Sequence, residues 1–285
     1  MQPLFEHRLE LSGFRTRALE LEGSGVPLLL LHGFADSADT WRLLLDRLGR
    51  ADRRAVALDL PGFGTAGRLD RDRPILDQLT EFAVAAVEHF APQGGAIVCG
   101  NSLGGTLSLR LAQRPELGLA GVVPVAPAGL DMAGWFAIIE REPILRTLLA
   151  SPVPVPPQVV RRVVLEVYNR LAFHRPREVE PLVGRAFTSH FTDRATARRI
   201  LSTGRRMIAE LRDPYALERI ECPVLLVWGD KDVMVFRTGA RTVLETVDDA
   251  RLELIANCGH CPQIEAADRL AGLLLDFPAS AARAA

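Results

Sequence analysis

Lysine is nearly missing from this chain. Lysine and arginine together number 34, and Lys231 is the only lysine among them. That skew reads as the compositional bias of a GC-rich, bacterial source and not as a functional device. Cysteine is scarce too: four in 285 residues are too few for a disulfide scaffold. No apolar run approaches the roughly 18–20 residues that cross a bilayer. The opening residues, Met1-Gln2-Pro3-Leu4-Phe5-Glu6-His7-Arg8, lack the basic-then-apolar layout of a signal peptide. A formal net charge of −1 leaves no excess of one sign for a nucleic acid to meet. These absences lead us to expect a cytoplasmic protein with no nucleic-acid partner and no stable membrane anchor. They leave its oligomeric state open.

What is present is a globular composition, 48% hydrophobic and 24% charged, in a chain long enough for a large core. Residues 4–22 alternate as two antiparallel strands around Ser12-Gly13. Pro27-Leu28-Leu29-Leu30-Leu31 is continuously apolar, the pattern of a parallel strand covered on both faces. A helix follows through Trp41, Leu44, Leu45 and Leu48, with Ser37 or Asp39 as its cap. Strands are expected near 55–58, 96–99, 121–126, 223–228 and 251–256. Helices are expected over 75–90, from Leu103 to about Arg114, near 237–247 and at the C-terminal end. The strand–helix alternation predicts a mostly parallel, doubly wound α/β sheet. Between about Gly134 and Asp213 only helical patterns occur. We therefore expect a core of residues 1–129 and 214–285, with 130–213 inserted as a helical cap.

The stretch Gly100-Asn101-Ser102-Leu103-Gly104-Gly105 stands where a strand meets a helix. Its turn is tight enough to require glycines two residues before and after Ser102, and it exposes the hydroxyl. Parallel sheets bind ligands beyond the carboxyl ends of their strands. Collecting the polar residues there yields His32, Asp59, Ser102, Asp230, Asp232 and His260. A hydroxyl, a histidine and a carboxylate are what nucleophilic acyl chemistry needs, and they occur in the order Ser, Asp, His.

Five segments carry a more specific likeness: Leu-His-Gly-Phe (31–34), Asp-Leu-Pro-Gly-Phe-Gly (59–64), Gly-Asn-Ser-Leu-Gly-Gly (100–105), Gly-Asp-Lys-Asp (229–232) and Cys-Gly-His (258–260). In this order the chain resembles the α/β-hydrolase superfamily, near its serine esterases and meta-cleavage-product hydrolases. The resemblance implies Ser102 as nucleophile, His260 as base and then acid, and Asp232 as the orienting carboxylate. It prefers Asp232 to Asp230 by its spacing from Gly229, with Asp131 a distant third. The backbone N–H groups of Phe34 and Leu103 would form the oxyanion hole. His32 would shape that loop and Asp59 would hold the Asp-Leu-Pro-Gly turn. No metal or organic cofactor is implied.

For the substrate we expect a small or medium apolar carboxylic ester. Gly33, Asn101 and Trp135 are the candidate substrate-binding residues, and Phe136, Ile138 and Ile139 extend the apolar stripe begun by Trp135. Asn101 before the serine resembles the carbon–carbon bond hydrolases, although Cys261 and Phe236 stand where those enzymes usually carry tryptophan and proline. Two other readings compete. Cys258-Gly259-His260-Cys261 has thiol–disulfide oxidoreductase spacing, and a non-catalytic ligand-binding homologue would keep the same fold. The remaining histidines, His7, His89, His174 and His190, read as surface or satisfied residues, and the paired arginines of 130–213 as solvated faces.

Overall fold

A computed structural model describes residues 3–132, 134, 156–179, 183, 184, 187, 188, 190, 191 and 193–281. Its frame is one eight-stranded sheet. The strands are β1 (Leu4–Leu11), β2 (Phe14–Leu21), β3 (Ser24–Leu31), β4 (Arg53–Leu58), β5 (Ile97–Asn101), β6 (Gly121–Val125), β7 (Val224–Gly229) and β8 (Ala250–Ile255). They lie in the order β1-β2-β4-β3-β5-β6-β7-β8. The first hairpin is antiparallel, with Leu4 opposite Leu21, and β2 joins β4 antiparallel. From β4 through β8 every pairing is parallel. Leu28 to Leu31 are fully buried, as a strand covered on both faces requires.

The α-helices are α1 (Arg42–Arg50), α2 (Ile75–Phe90), α3 (Leu103–Ala112), α4 (Pro157–Ala172), α5 (Arg194–Glu210), α6 (Ala240–Thr246), α7 (Pro262–Glu265) and α8 (Ala267–Ala281), with short 3-10 turns between elements. One apolar cluster joins the sheet to α2, α3 and α6 through Leu79, Phe82, Leu107, Leu111 and Val243. The other joins it to α1 and α8 through Leu44, Leu48, Leu270, Leu274 and Phe277. The sheet is thus covered on both faces, as the strand–helix alternation predicted. Helices α4 and α5 fall inside the segment expected to be inserted. Trp135, Phe136, Ile138 and Ile139 lie outside the described residues.

One expectation at the first helix needs correction. A short 3-10 turn (Ala38–Trp41) precedes α1, and neither Ser37 nor Asp39 caps it through its side chain. Asp39 instead accepts from Arg17 Nη2 at 2.6 Å and from Arg42 Nε at 2.7 Å. Helix α2 also lacks a local side-chain cap. Its N–H groups at Ile75 and Leu76 donate to the Glu210 carboxylate from the end of α5, at 2.9 and 2.7 Å. A negative charge there is favoured by the helix dipole.

Asp59, fully buried at the end of β4, ties the hairpin to the parallel sheet. It receives Arg17 Nε at 3.1 Å and Nη2 at 3.2 Å, Ala38 N at 2.8 Å, and both the N–H and hydroxyl of Thr65 at 2.8 and 2.9 Å. Burial alone would raise its pKa; the Arg17 charge and these donors outweigh that and hold it below the ordinary carboxylate value. Removing one member of a buried, hydrogen-bonded ion pair strands the other. Asp59→Ala is therefore expected to cost about 3–5 kcal/mol in chemical denaturation, and an unchanged midpoint would contradict this account.

Candidate active site

The site lies where the order of connections reverses. After β3 the chain goes to β4 on one side, and the next sheet strand, β5, pairs on the other. The crevice beyond the carboxyl ends of β3 and β5 is the topological switch point where open α/β sheets bind ligands. His32-Gly33-Phe34 leave β3 into it, and Ser102 leaves β5.

Ser102 holds φ 55° and ψ −110°, a costly conformation for a side-chain-bearing residue, worth about 1–3 kcal/mol. The surrounding contacts enforce it. A Cβ on Gly100 would strike the Gly104 carbonyl, and one on Gly104 would strike the carbonyl of Leu31 at the end of β3. Only glycine lets α3 begin this close to the sheet. Ser102 N is held by Val125 O at 2.9 Å, and the hydroxyl faces a cavity. Leu103 N–H, first in α3, has no intrahelical acceptor and lies at the positive end of the helix dipole.

The loops after β7 and β8 bring two more residues to this crevice. His260 Nδ1 and Asp232 Oδ2 are 2.7 Å apart, with both side chains almost wholly buried. Asp232 Oδ1 accepts from Met234 N at 2.8 Å and Val235 N at 3.1 Å, which fixes the carboxylate. His260 N donates to Ala172 O, at the end of α4, at 2.8 Å. The other ring nitrogen, Nε2, is shut off from solvent and has no hydrogen-bond partner among the described residues. Ser102 and His260 line the same cavity, and no hydrogen bond joins the hydroxyl to Nε2. Such bonds often tighten only when substrate is bound.

The competing carboxylates are engaged elsewhere. Asp230 pairs with Lys231 Nζ at 3.2 Å and accepts from Cys258 N at 3.4 Å. Asp131 bonds Thr238. Among the other histidines, His7 is 2.9 Å from Glu20.

Asn101 has an occupation that the sequence did not signal. Its Nδ2 donates to His260 O at 2.9 Å, and its Oδ1 accepts from Gln263 Nε2 at 3.2 Å. Gln263 Nε2 also reaches Thr40 Oγ1 at 3.3 Å. The residue beside the serine thus fastens the β5 turn to the histidine loop, although it borders the cavity with Gly33.

The cavity holds about 130 Å³ and is walled mainly by apolar side chains. Val164, Tyr168 and Leu171 of α4 and Ile200 and Leu201 of α5 face it, with Phe187 and Phe191 between them. Tyr168 stacks on Phe187, ring centroids 3.6 Å apart. No arginine or lysine appears among the described lining residues. Cys258 and Cys261 are buried free thiols. Burial pushes both thiols up, away from the reactive thiolate, which speaks against the redox reading. Among the described residues no group of three or more His, Cys, Asp or Glu is placed to hold a metal ion. No described helix is long and apolar enough to cross a membrane.

Residues 28–273 match a family model described as "Alpha/beta hydrolase family". The chain belongs to that family. It is 30% identical to the dihydrolipoyllysine-residue acetyltransferase component of the acetoin cleaving system of Pseudomonas putida, over 95% of this chain and 68% of that protein. It is 28% identical to the 2-hydroxymuconate semialdehyde hydrolase of Pseudomonas sp. (strain CF600), over 96% and 94%. In fold it resembles the 2-hydroxy-6-oxo-6-phenylhexa-2,4-dienoate hydrolase of Rhodococcus sp. strain RHA1: TM-score 0.77, 21% identity, covering 97% and 99% of the two chains.

His32, fully buried, shows how the loop of this hydrolase is held. Nδ1 donates to Gly33 O at 2.7 Å, and Nε2 accepts from Leu60 N at 2.9 Å. Acceptance at Nε2 requires the neutral ring, and burial pushes its pKa down to about 4. The unfolded ring titrates near about 6.5. The native state therefore binds fewer protons than the unfolded state between these values, so this contribution is complete above about pH 6.5 and shrinks as pH falls towards 4, by at most about 3 kcal/mol. Imidazole nitrogen NMR is expected to show His32 as the neutral Nδ1–H tautomer at pH 5.5. A charged ring at that pH would contradict the assignment.

Proposed function

We propose that this hydrolase cleaves a carboxylic ester of a small, mostly apolar substrate through an acyl-enzyme on Ser102. The supporting observation is the 2.7 Å His260–Asp232 pair, whose Nε2 is left unpartnered beside Ser102 in an apolar cavity. With Nδ1–H donating to Asp232, Nε2 carries the lone pair and acts as the base.

Nε2 takes the Ser102 proton as Oγ bonds the ester carbonyl carbon. The carbonyl π pair moves onto oxygen, where the N–H groups of Phe34 and Leu103 receive the negative charge. When that pair returns, the carbon–alkoxy bond breaks and His260 gives its proton to the departing alcohol. A water molecule then attacks the acyl carbon by the same relay and restores Ser102. In this reading 130–213 is a cap, with α4 and α5 closing the cavity from above and excluding water.

Two relatives carry names that favour carbon–carbon bond cleavage. Both names describe substrates that are carboxylates. The described cavity wall offers such an acid no arginine or lysine, and it includes the acid Asp36, so an uncharged ester suits it better. Asn101, whose amide is committed to His260 and Gln263, supports the carbon–carbon reading less than its position before the serine suggests.

Ser102→Ala is expected to lower kcat/KM for p-nitrophenyl hexanoate by about 10³-fold or more and to abolish labelling by a fluorophosphonate. Cys258→Ser with Cys261→Ser should keep that labelling. Full activity in Ser102→Ala, or turnover of dienoates with none of esters, would refute the ester reading.

A further inference from the structure

The cavity contains one group that the ester reaction does not use. Asp36, two residues beyond the oxyanion loop's Phe34, is only 5% exposed and lines the cavity as the sole carboxyl among its described residues. One of its oxygens accepts from Ser37 N at 2.8 Å, and the Thr40 hydroxyl lies near the carboxyl. Thr40 in turn accepts from Gln263, which leads to Asn101 and so to the His260 carbonyl. The carboxyl thus sits beside a buried polar chain that runs from Thr40 to the His260 carbonyl.

Two further polar groups lie beside it. Tyr168 Oη and Cys261 Sγ are 3.7 Å apart, and both residues line the same cavity as Asp36. The Tyr168 ring is pinned between Phe187 and Phe173, so its hydroxyl is presented and not free to wander. Burial pushes the Asp36 carboxyl up to about 7, which populates its neutral, hydrogen-donating form near neutral pH. Keeping a carboxyl in an apolar wall costs free energy that an alanine or leucine would not.

We propose that Asp36 and Tyr168 recognise an uncharged oxygen, a ketone or ether, carried by the ester substrate apart from the bond that is cleaved. The inference rests on the serine-ester reading and defines its substrate class. An apolar chain fills the cavity, and the second oxygen accepts hydrogen bonds from the Asp36 carboxyl and the Tyr168 hydroxyl. A site built to hydrogen-bond a substrate group discriminates strongly against the analogue lacking it, because its own polar groups are then left unpaired. Anionic substrates are disfavoured, since an ionised Asp36 would face them with no arginine or lysine in the described wall.

The test compares p-nitrophenyl heptanoate with its 4-, 5- and 6-oxo analogues, taking the ratio of kcat/KM for the oxo and plain esters within each protein. For at least one oxo position the unmodified chain should prefer the ketone by about tenfold or more. Asp36→Leu should bring that ratio near one. Tyr168→Phe, which keeps the ring stack, should cut it to about a third or less and serves if Asp36→Leu does not fold. A purely structural role would slow both esters alike and leave the ratio unmoved. Ratios near one at every position, or a preference untouched by both substitutions, overturn the inference while esterase activity leaves the parent reading standing. No turnover of any ester and no fluorophosphonate labelling of Ser102 would overturn both.

Discussion

The backbone of α3 begins in contact with the end of β3, and the site depends on that closeness. Gly104 packs against the Leu31 carbonyl and Gly100 against Gly104. No side chain fits in either gap. With the gaps closed, Ser102 has no option but its positive φ, and its hydroxyl is directed at the crevice between β3 and β5. The same approach brings Leu103 N–H beside the loop that carries Phe34. The proposed nucleophile and one proposed oxyanion donor thus come from one packing constraint between two adjacent strands.

Two polar arrangements keep this geometry from relaxing. On one side Asp59 gathers Arg17, Ala38 and Thr65, while His32 links Gly33 to Leu60. The loop after β3 is thereby fastened to the loop after β4. On the other side the Asn101 amide holds the His260 carbonyl, and the Glu265 carboxylate accepts from Gly259 N at 2.6 Å and Arg175 N at 2.9 Å. Each arrangement joins segments far apart in sequence. The bonds of Ala38 to Asp59, Leu60 to His32 and Asn101 to His260 are buried, where an unpaired polar group is costly. They therefore act as positional constraints on the serine and the histidine.

What was legible in the sequence was whatever local pattern controls. The run Leu28–Leu31 and the helical spacing over 75–90 each forecast their element. The glycines flanking Ser102 forecast the turn, since a tight turn states its needs within five residues. His260 and Asp232 were visible because residues just past parallel strands share one edge of the sheet, and they do meet. The partners chosen across long sequence gaps were not visible. Nothing near Asn101 announces the His260 carbonyl, and nothing near Ile75 announces Glu210. Asp39 looked like a helix cap because caps are local, yet an arginine from β2 claimed its carboxylate. Asp36 carries no signal in the sequence; only the folded chain buries it in the wall of the cavity that Tyr168 also lines.

The central claim is that Ser102 becomes acylated. Intact-mass spectrometry with peptide mapping, on chain quenched within milliseconds of mixing with p-nitrophenyl hexanoate, tests it directly. The account predicts one added hexanoyl group on the peptide containing Ser102, formed no more slowly than turnover and absent in Ser102→Ala. An adduct on Cys261 in place of Ser102, or undiminished hydrolysis by Ser102→Ala, would contradict it.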